Sequence, residues 1–562
     1  MKWIYRLSIF SLFLSLSACD SLELDLLENP NAVSPNNANV NFLYNQIQIS
    51  FKNFYLNTYF FPASLSRMQQ LGGGNYGNSF NGLSFNGIWS NCYSDLLPDM
   101  QTLGNIATEK GFAFHGGTTK IMKAYVLFTM VDLFGKVPYS DALKGTDSQN
   151  PTADDGKGIY DAALVLLDEA IVDLGNATAP KPTSDMYFGG SNAKWIALAN
   201  TLKLRAYNNT RLVNADSKAK IADLLTKDLI DNASEDFVFQ YSNQRVNPNT
   251  RNGNYNGSYE TSDGDYLSTY YMWVLYGEKK IEDPRTRFYF YRQNTDLSDP
   301  EVYNVNTRSC DEKAFPAHYP AGMPYCVDLE RGFWGRDHQN NTGTPPDGNI
   351  RTIYGLYPSG GRFDDNSAAN QQQAGTTGAL GTGIEPIWLS SFTDFVKAEA
   401  ALTLGTTGDP RALLESAVSK SIDKVYSFAS KVAADLDKVV GKDPNGNPVT
   451  ARAAFLPGAN EKAAYIAEVL RLYDEAADNR GKLRVIMKEY YIAAWKNGIE
   501  VYNSLRRTLF PDNLQPSLNP NPGDFYRTAL YPTDYVELNS NAEQKSAKEQ
   551  VFWDNNPADV IK

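Results

Sequence analysis

Leu16-Ser17-Ala18-Cys19 sets a thiol directly behind small residues, the arrangement at which a bacterial lipoprotein signal is cut and its cysteine acylated. Lys2 and Arg6 form a basic region ahead of it, and Leu7 to Leu16 a short apolar one. About ten apolar residues are too few to cross a bilayer core, which takes about 20 as a helix. The reading is a signal over 1–18, then a lipidated Cys19 and flexible tether over 19–40. Several acyl chains hold a chain at a membrane far better than one. Asp20, Glu23, Asp25 and Glu28, followed by NPNAVSPNNANVN, bury little apolar surface, so the tether is expected to stay extended.

A second chemistry lies in the loops. Tyr76, Phe80, Trp334, Tyr354 and Tyr357 sit among Gly and Asn. Aromatic faces there can stack on the C–H faces of sugar rings, while Arg336, Asn340 and Arg351 can hydrogen-bond hydroxyls. The competing reading is that each ring pins its own loop. Cys310 and Cys326 bracket a short loop-like segment. In an oxidising compartment they could pair, for about 3 kcal/mol of loop-closure entropy, or remain two free thiols.

Other chemistries lack their signatures. His115, His318 and His338 are scattered, with no zinc spacing. There is no GxSxG elbow, HExxH, GxxxxGK[ST] or strand-bound GxGxxG, and the glycines at 375–383 have no phosphate-binding partner. No cofactor is expected. Asp263 and Asp265 could touch calcium, although the calcium-loop pattern is not met. With 64 acidic residues, a glycosidase-type carboxylate pair stays open as an alternative.

Helical segments must position these groups. In 159–174 Ile159, Ala163, Leu166, Leu167, Ala170, Ile171 and Leu174 make one helix face. The run 120–134 is apolar all round and stops at Gly135 and Pro138, which predicts a buried helix. Segments 192–213, 387–404, 410–438, 461–478 and 482–507 carry the same period. Between them, about 240–383, the chain turns to Asn, Gly, Tyr, Arg and Pro, and so long a stretch without periodicity reads as ordered functional loops. A shorter insertion of the same kind spans 71–89. The expectation is a mainly α domain over 41–562, with a scaffold of degenerate helical hairpins mainly at 90–235 and 384–510. At 562 residues, 42% hydrophobic and 21% charged, the chain is long enough for a large core. A net charge of −12 argues against phosphate-backbone binding.

Ordered blocks then carry a resemblance. FNGIWSNCYSDLLPDMQTL at 85–103, KAYVLFTMVDLFGKVPYSDALKG at 123–145, AKWIALANTLKLRAYNNTRLV at 193–213, YPSGGRFDD at 357–365 and RVIMKEYYIAAWKNGIEVYNSLRRTLFP at 484–511 occur in this order. Together they resemble the SusD/RagB-type nutrient-binding outer-membrane lipoproteins of the Bacteroidetes, particularly the second SusD-like subfamily. The resemblance implies four TPR-like hairpins and a loop-rich ligand face. It implies a lipoprotein, not an enzyme, that captures an oligosaccharide at the cell surface and passes it to a SusC-like TonB-dependent transporter. A peptide ligand, or a surface glycosidase, is the alternative.

Overall fold

The computed structural model describes residues 39–176, 178–261, 266–296, 314–326, 331–340, 350–368 and 374–557. Cys19, Cys310, Asp263 and Asp265 lie outside the described residues. The principal helices are α1 (Val40–Asn57), α2 (Leu97–Lys110), α3 (Ala113–Phe134), α4 (Gly156–Leu174), α5 (Asn192–Asn209), α6 (Thr269–Tyr276), α7 (Ser390–Leu404), α8 (Pro410–Tyr426), α9 (Ala459–Asp474), α10 (Asn479–Ala493) and α11 (Gly498–Thr508). Four strands matter here: β1 (Phe237–Gln240), β2 (Phe290–Tyr291), β3 (Ile353–Tyr354) and β4 (Ile384–Trp388).

Sequential helices pack against one another: α2 with α3, α3 most extensively with α4, α4 with α5, α7 with α8, and α9 with α10. These are the helical hairpins of a mainly α, TPR-like fold. The links at 111–112, 405–409 and 475–478 are short, and that between α4 and α5, 175–191, is longer. Gly111 closes α2 at φ 74°, a left-handed cap that costs a glycine little. Helix α3, apolar on every face, is buried along nearly all its length and is packed by α1, α2, α4 and α5. Its close approach to α4 depends on Gly117, where a Cβ would lie 2.9 Å from Leu174 and 3.2 Å from the Ala170 carbonyl.

Buried ion pairs tie the hairpins together. Asp132 of α3 accepts from Arg205 of α5 at 3.1 Å, Asn503 of α11 at 2.7 Å, Trp553 Nε1 at 3.0 Å and the Tyr160 hydroxyl. Arg205 also donates to Glu500 at 2.5 Å. Glu399 of α7 accepts two bonds of 2.7 Å from Arg507 and one of 3.0 Å from Asn208, and pairs with Arg211 at 2.8 Å. Burial alone would raise its pKa, but the two guanidiniums hold it down to about 2.

The loop region is closed at its base by a strand pair, since β1 runs antiparallel to β4. Within it α6 and the short β2–β3 pair are the regular elements named above. Its glycines serve close backbone packing. At Gly378 a Cβ would lie 2.2 Å from the Gly361 carbonyl oxygen, and at Gly383 2.2 Å from that of Pro358.

Two helix boundaries differ from the periodicity. The stretch 482–507 is two helices, because Lys496 takes φ 69° and Asn497 caps α11 by accepting from the Glu500 N–H at 3.3 Å. The 410–438 segment leaves α-geometry at Tyr426 and continues as a 3₁₀ turn, Ser427–Val432, and a short helix, Ala433–Leu436.

Candidate functional site

Three extended segments meet on the loop-rich side. Gln69 bridges antiparallel to Leu267, and Ser268 bridges parallel to Arg336. This lays the segment just ahead of the 71–89 insertion beside two parts of the 240–383 region. Tyr266, half-buried at the junction, is the focus. The Arg336 guanidinium lies 3.8 Å and that of Arg351 4.4 Å from the centre of its ring. Arg336 also donates to the Tyr266 hydroxyl at 3.2 Å. Cation–π contact of this kind fixes guanidinium planes against a ring, so their N–H groups keep a defined direction.

A polar floor runs inward from this cluster. Gln69 donates to the Tyr266 carbonyl at 3.2 Å and accepts from the hydroxyls of Tyr354 at 2.8 Å and Tyr59 at 3.4 Å. The Lys496 ammonium lies 3.7 Å from the centre of the Tyr59 ring and donates to Asn254 at 3.3 Å. Behind it the buried Glu385 accepts from the Tyr241 hydroxyl at 3.0 Å and Asn252 at 3.2 Å. Burial raises its carboxyl to about 7, against the opposing pull of Lys496 and Lys52. Asp337, next to Arg336, is likewise raised to about 7 by burial, although the Cys326 N–H and Gln515 donate to it at 2.8 and 2.6 Å. His338 is held far below its ordinary value by burial and the nearby Arg67, so it is neutral.

The sequence-selected residues divide into two sets. Arg336 and Arg351 meet at Tyr266, half-exposed Asn340 lies four residues beyond Arg336, and Tyr354 underlies the cluster through Gln69. The other aromatics are interior. Tyr76 is 1% exposed and shares a 3.2 Å hydrogen bond with His338, while Phe80 packs edge-on to Phe61 at 4.9 Å. Tyr357 packs between Tyr289 and Phe428 at 5.6 and 5.0 Å. Trp334 is 5% exposed, its main-chain N–H donating to the Thr352 hydroxyl at 2.8 Å. Tyr354 is 2% exposed. The reading of these five rings as open stacking platforms therefore gives way to a packing one. Rings are the chief apolar mass in Asn/Gly-rich loops, and they turn inward to anchor them. Tyr59, Gln69, Asn254, Tyr266 and Lys496 were not selected from the sequence. Lys496 sat inside an apparent helix, and Tyr266 meets Gln69 only across 197 residues.

Cys326 is disulfide-bonded, and Cys92 is free and buried. Among the described residues no group of three His, Cys, Asp or Glu side chains could hold a metal. No helix among them is long and apolar enough to cross a membrane.

A scaffold of TPR-like helical hairpins thus carries a loop-built polar and aromatic cluster. Residues 30–313 match the SusD-like family described as "Starch-binding associating with outer membrane", and residues 347–551 match "SusD and RagB outer membrane lipoprotein". The chain belongs to the SusD-like family. No curated protein matches it. Similar solved structures include a SusD homologue from Bacteroides fragilis, 18% identical, covering 90% of this chain and 93% of that one at TM-score 0.62. A SusD/RagB family protein from Bacteroides thetaiotaomicron is 19% identical over 92% of this chain and 99% of that one, at TM-score 0.64. A chitin-binding SusD homologue from Flavobacterium johnsoniae is 17% identical, over 92% and 99%, at TM-score 0.59.

Proposed function

We propose that this protein is a cell-surface lipoprotein that captures an oligosaccharide and delivers it to a SusC-like TonB-dependent transporter, held to the outer membrane by lipid on Cys19. The observation that carries the binding half is the Tyr266 cluster, where two guanidiniums are fixed over one ring above the amide side chain of Gln69. Oriented N–H donors next to aromatic and amide groups suit sugar hydroxyls. Family membership supports the lipoprotein and transporter half, and the similar protein from Flavobacterium johnsoniae binds chitin, itself a glycan. No step of bond cleavage is assigned: Glu385, the carboxylate beneath the cluster, is buried and engaged by Tyr241 and Asn252 rather than set opposite a second acid.

Calorimetry over a panel of oligosaccharides and peptides tests the binding half. Saccharide binding that is lost on Arg336→Ala supports it; no saccharide binding, binding of peptides alone, or hydrolysis of a bound saccharide overturns it. Co-purification of a TonB-dependent transporter from native membranes tests the delivery half, and its failure under conditions that retain Cys19-dependent membrane attachment counts against that half alone.

A further inference from the structure

Arg336 and Tyr266 are joined by a backbone pairing, and one residue braces both sides of it. The Arg336 N–H donates to the Leu267 carbonyl at 2.9 Å, and the Thr269 N–H donates to the Arg336 carbonyl at 3.0 Å. Tyr266 directly precedes Leu267, so this pairing sets where the guanidinium meets the ring. Cys326 touches both of its strands. The Cys326 N–H donates to the carboxylate of Asp337, the residue after Arg336, at 2.8 Å, and its carbonyl accepts from Thr269 Oγ1 at 3.1 Å. Gln515 ties the same pieces a second time, donating to Asp337 at 2.6 Å and to the Pro324 carbonyl at 2.9 Å.

Both of these Cys326 contacts pass through its main chain, and that main chain is in an unfavourable conformation. Its φ of 66° lies in the left-handed region, where a Cβ crowds the backbone and glycine is the ordinary occupant. A residue with a side chain stays there only where its surroundings over-determine it. Relaxation of φ to a negative value would turn the N–H and the carbonyl relative to each other, and the two could not both keep their partners. The side chain supplies the restraint: Cys326 is 3% exposed and disulfide-bonded.

We propose that Cys326 is a positioning residue for the saccharide site: its disulfide holds a left-handed turn whose two hydrogen bonds keep Arg336 in register with Tyr266. Cys326 acts through Arg336 and touches no ligand itself. The proposal rests on the saccharide-capture reading above and concerns how that site is held in shape.

Variants of the full mature chain test it, with the freed partner thiol alkylated. Cys326→Ser loses the disulfide and keeps the Cβ, whereas Cys326→Gly loses both and takes the left-handed turn at little cost. Calorimetry with chito-, cello- and malto-hexaose is paired with hydrogen exchange of residues 334–340 in the absence of sugar. Cys326→Ser should bind the preferred hexaose about tenfold more weakly and exchange the Arg336 amide faster. Cys326→Gly should recover binding to within about threefold of the parent and restore slow exchange; a disulfide that served only overall stability would leave both variants equally impaired. In an Arg336→Ala background Cys326→Ser should weaken binding no further, because effects that pass through one group do not add. Unchanged binding and exchange in Cys326→Ser, no recovery in Cys326→Gly, or a full additional loss in the Arg336→Ala background overturns the proposal while leaving saccharide capture standing. Should Cys326→Ser fail to fold, parent-like binding by Cys326→Gly is still required. If the parent binds no saccharide, the capture reading falls, and the exchange comparison alone decides the brace.

Discussion

The hairpin scaffold and the loop face both rely on arginine, and they use it in opposite ways. In the scaffold Arg205 is 1% exposed and divided between Asp132 and Glu500; Arg507 is 4% exposed and forked onto Glu399. A buried charge without its partner is costly, so these carboxylates fix one arrangement of helices rather than add much net stability. On the loop face Arg336 is half-exposed and Arg351 more covered, and the group they share is an aromatic ring. Charge matched by charge makes a rigid frame, whereas a ring shared by two guanidiniums sets the planes in which their N–H groups lie.

Four substitutions break or sharpen that contrast. Asp132→Ala strands Arg205 and removes the acceptor shared with Asn503, Tyr160 and Trp553, and should cost about 3–5 kcal/mol in chemical denaturation. A loss within about 0.5 kcal/mol, the size of an ordinary surface substitution, would mean that the scaffold tolerates an unmatched buried charge. Tyr357→Ala should cost about 3 kcal/mol of stability, since the ring fills space between Tyr289 and Phe428. If the variant melts like the parent but loses ligand, Tyr357 belongs to the binding face after all. Arg336→Ala reverses the pattern, with about 1–3 kcal/mol lost in saccharide binding and a melting curve close to the parent. The smallest effect is one of pH. Glu385 titrates near 7 in the folded chain, above its ordinary value, so the folded state holds its proton more tightly than the unfolded one. Its contribution is complete below about pH 4.5 and is lost as pH rises through about 7. Glu385→Gln keeps an oxygen for Tyr241 and Asn252 and should flatten the fall in stability between about pH 4.5 and 7, as measured by urea unfolding. Asp337, shifted the same way, leaves a residual slope; an unchanged slope in the variant would remove Glu385 from the account.

How far these two regions were legible in the sequence follows from their physics. Helices α3, α4 and α5 showed themselves because burial on one face, or on all faces, imposes a 3.6-residue period on the residue types. The break at Lys496 and Asn497 left no mark on that period, being decided by one capping amide and one residue at positive φ. In the loops, composition alone drew attention to the right region and, among the aromatics, to the interior side of it. Gly and Asn say that a chain turns tightly; they do not say which way a ring points. Arg336, Asn340 and Arg351 were accessible to type-based reasoning because they share a short stretch. Tyr59, Gln69 and Lys496 join them only through contacts between distant segments, as when Tyr354 reaches Gln69 across 285 residues.

The bond from Trp553 to Asp132 spans 421 residues. The same closing segment gives its Ala529 N–H to the Leu133 carbonyl at 2.7 Å and pairs Arg527 with Asp554. A chain that leaves the ribosome amino end first therefore carries Asp132 and Arg205 for most of its synthesis without their final enclosure. Contacts of such long range are made late, so the native state can be sealed only when the tail arrives. On the export route proposed above, that order has a use: the contacts that enclose Asp132 wait on a segment 421 residues further along, so the chain stays threadable until it docks.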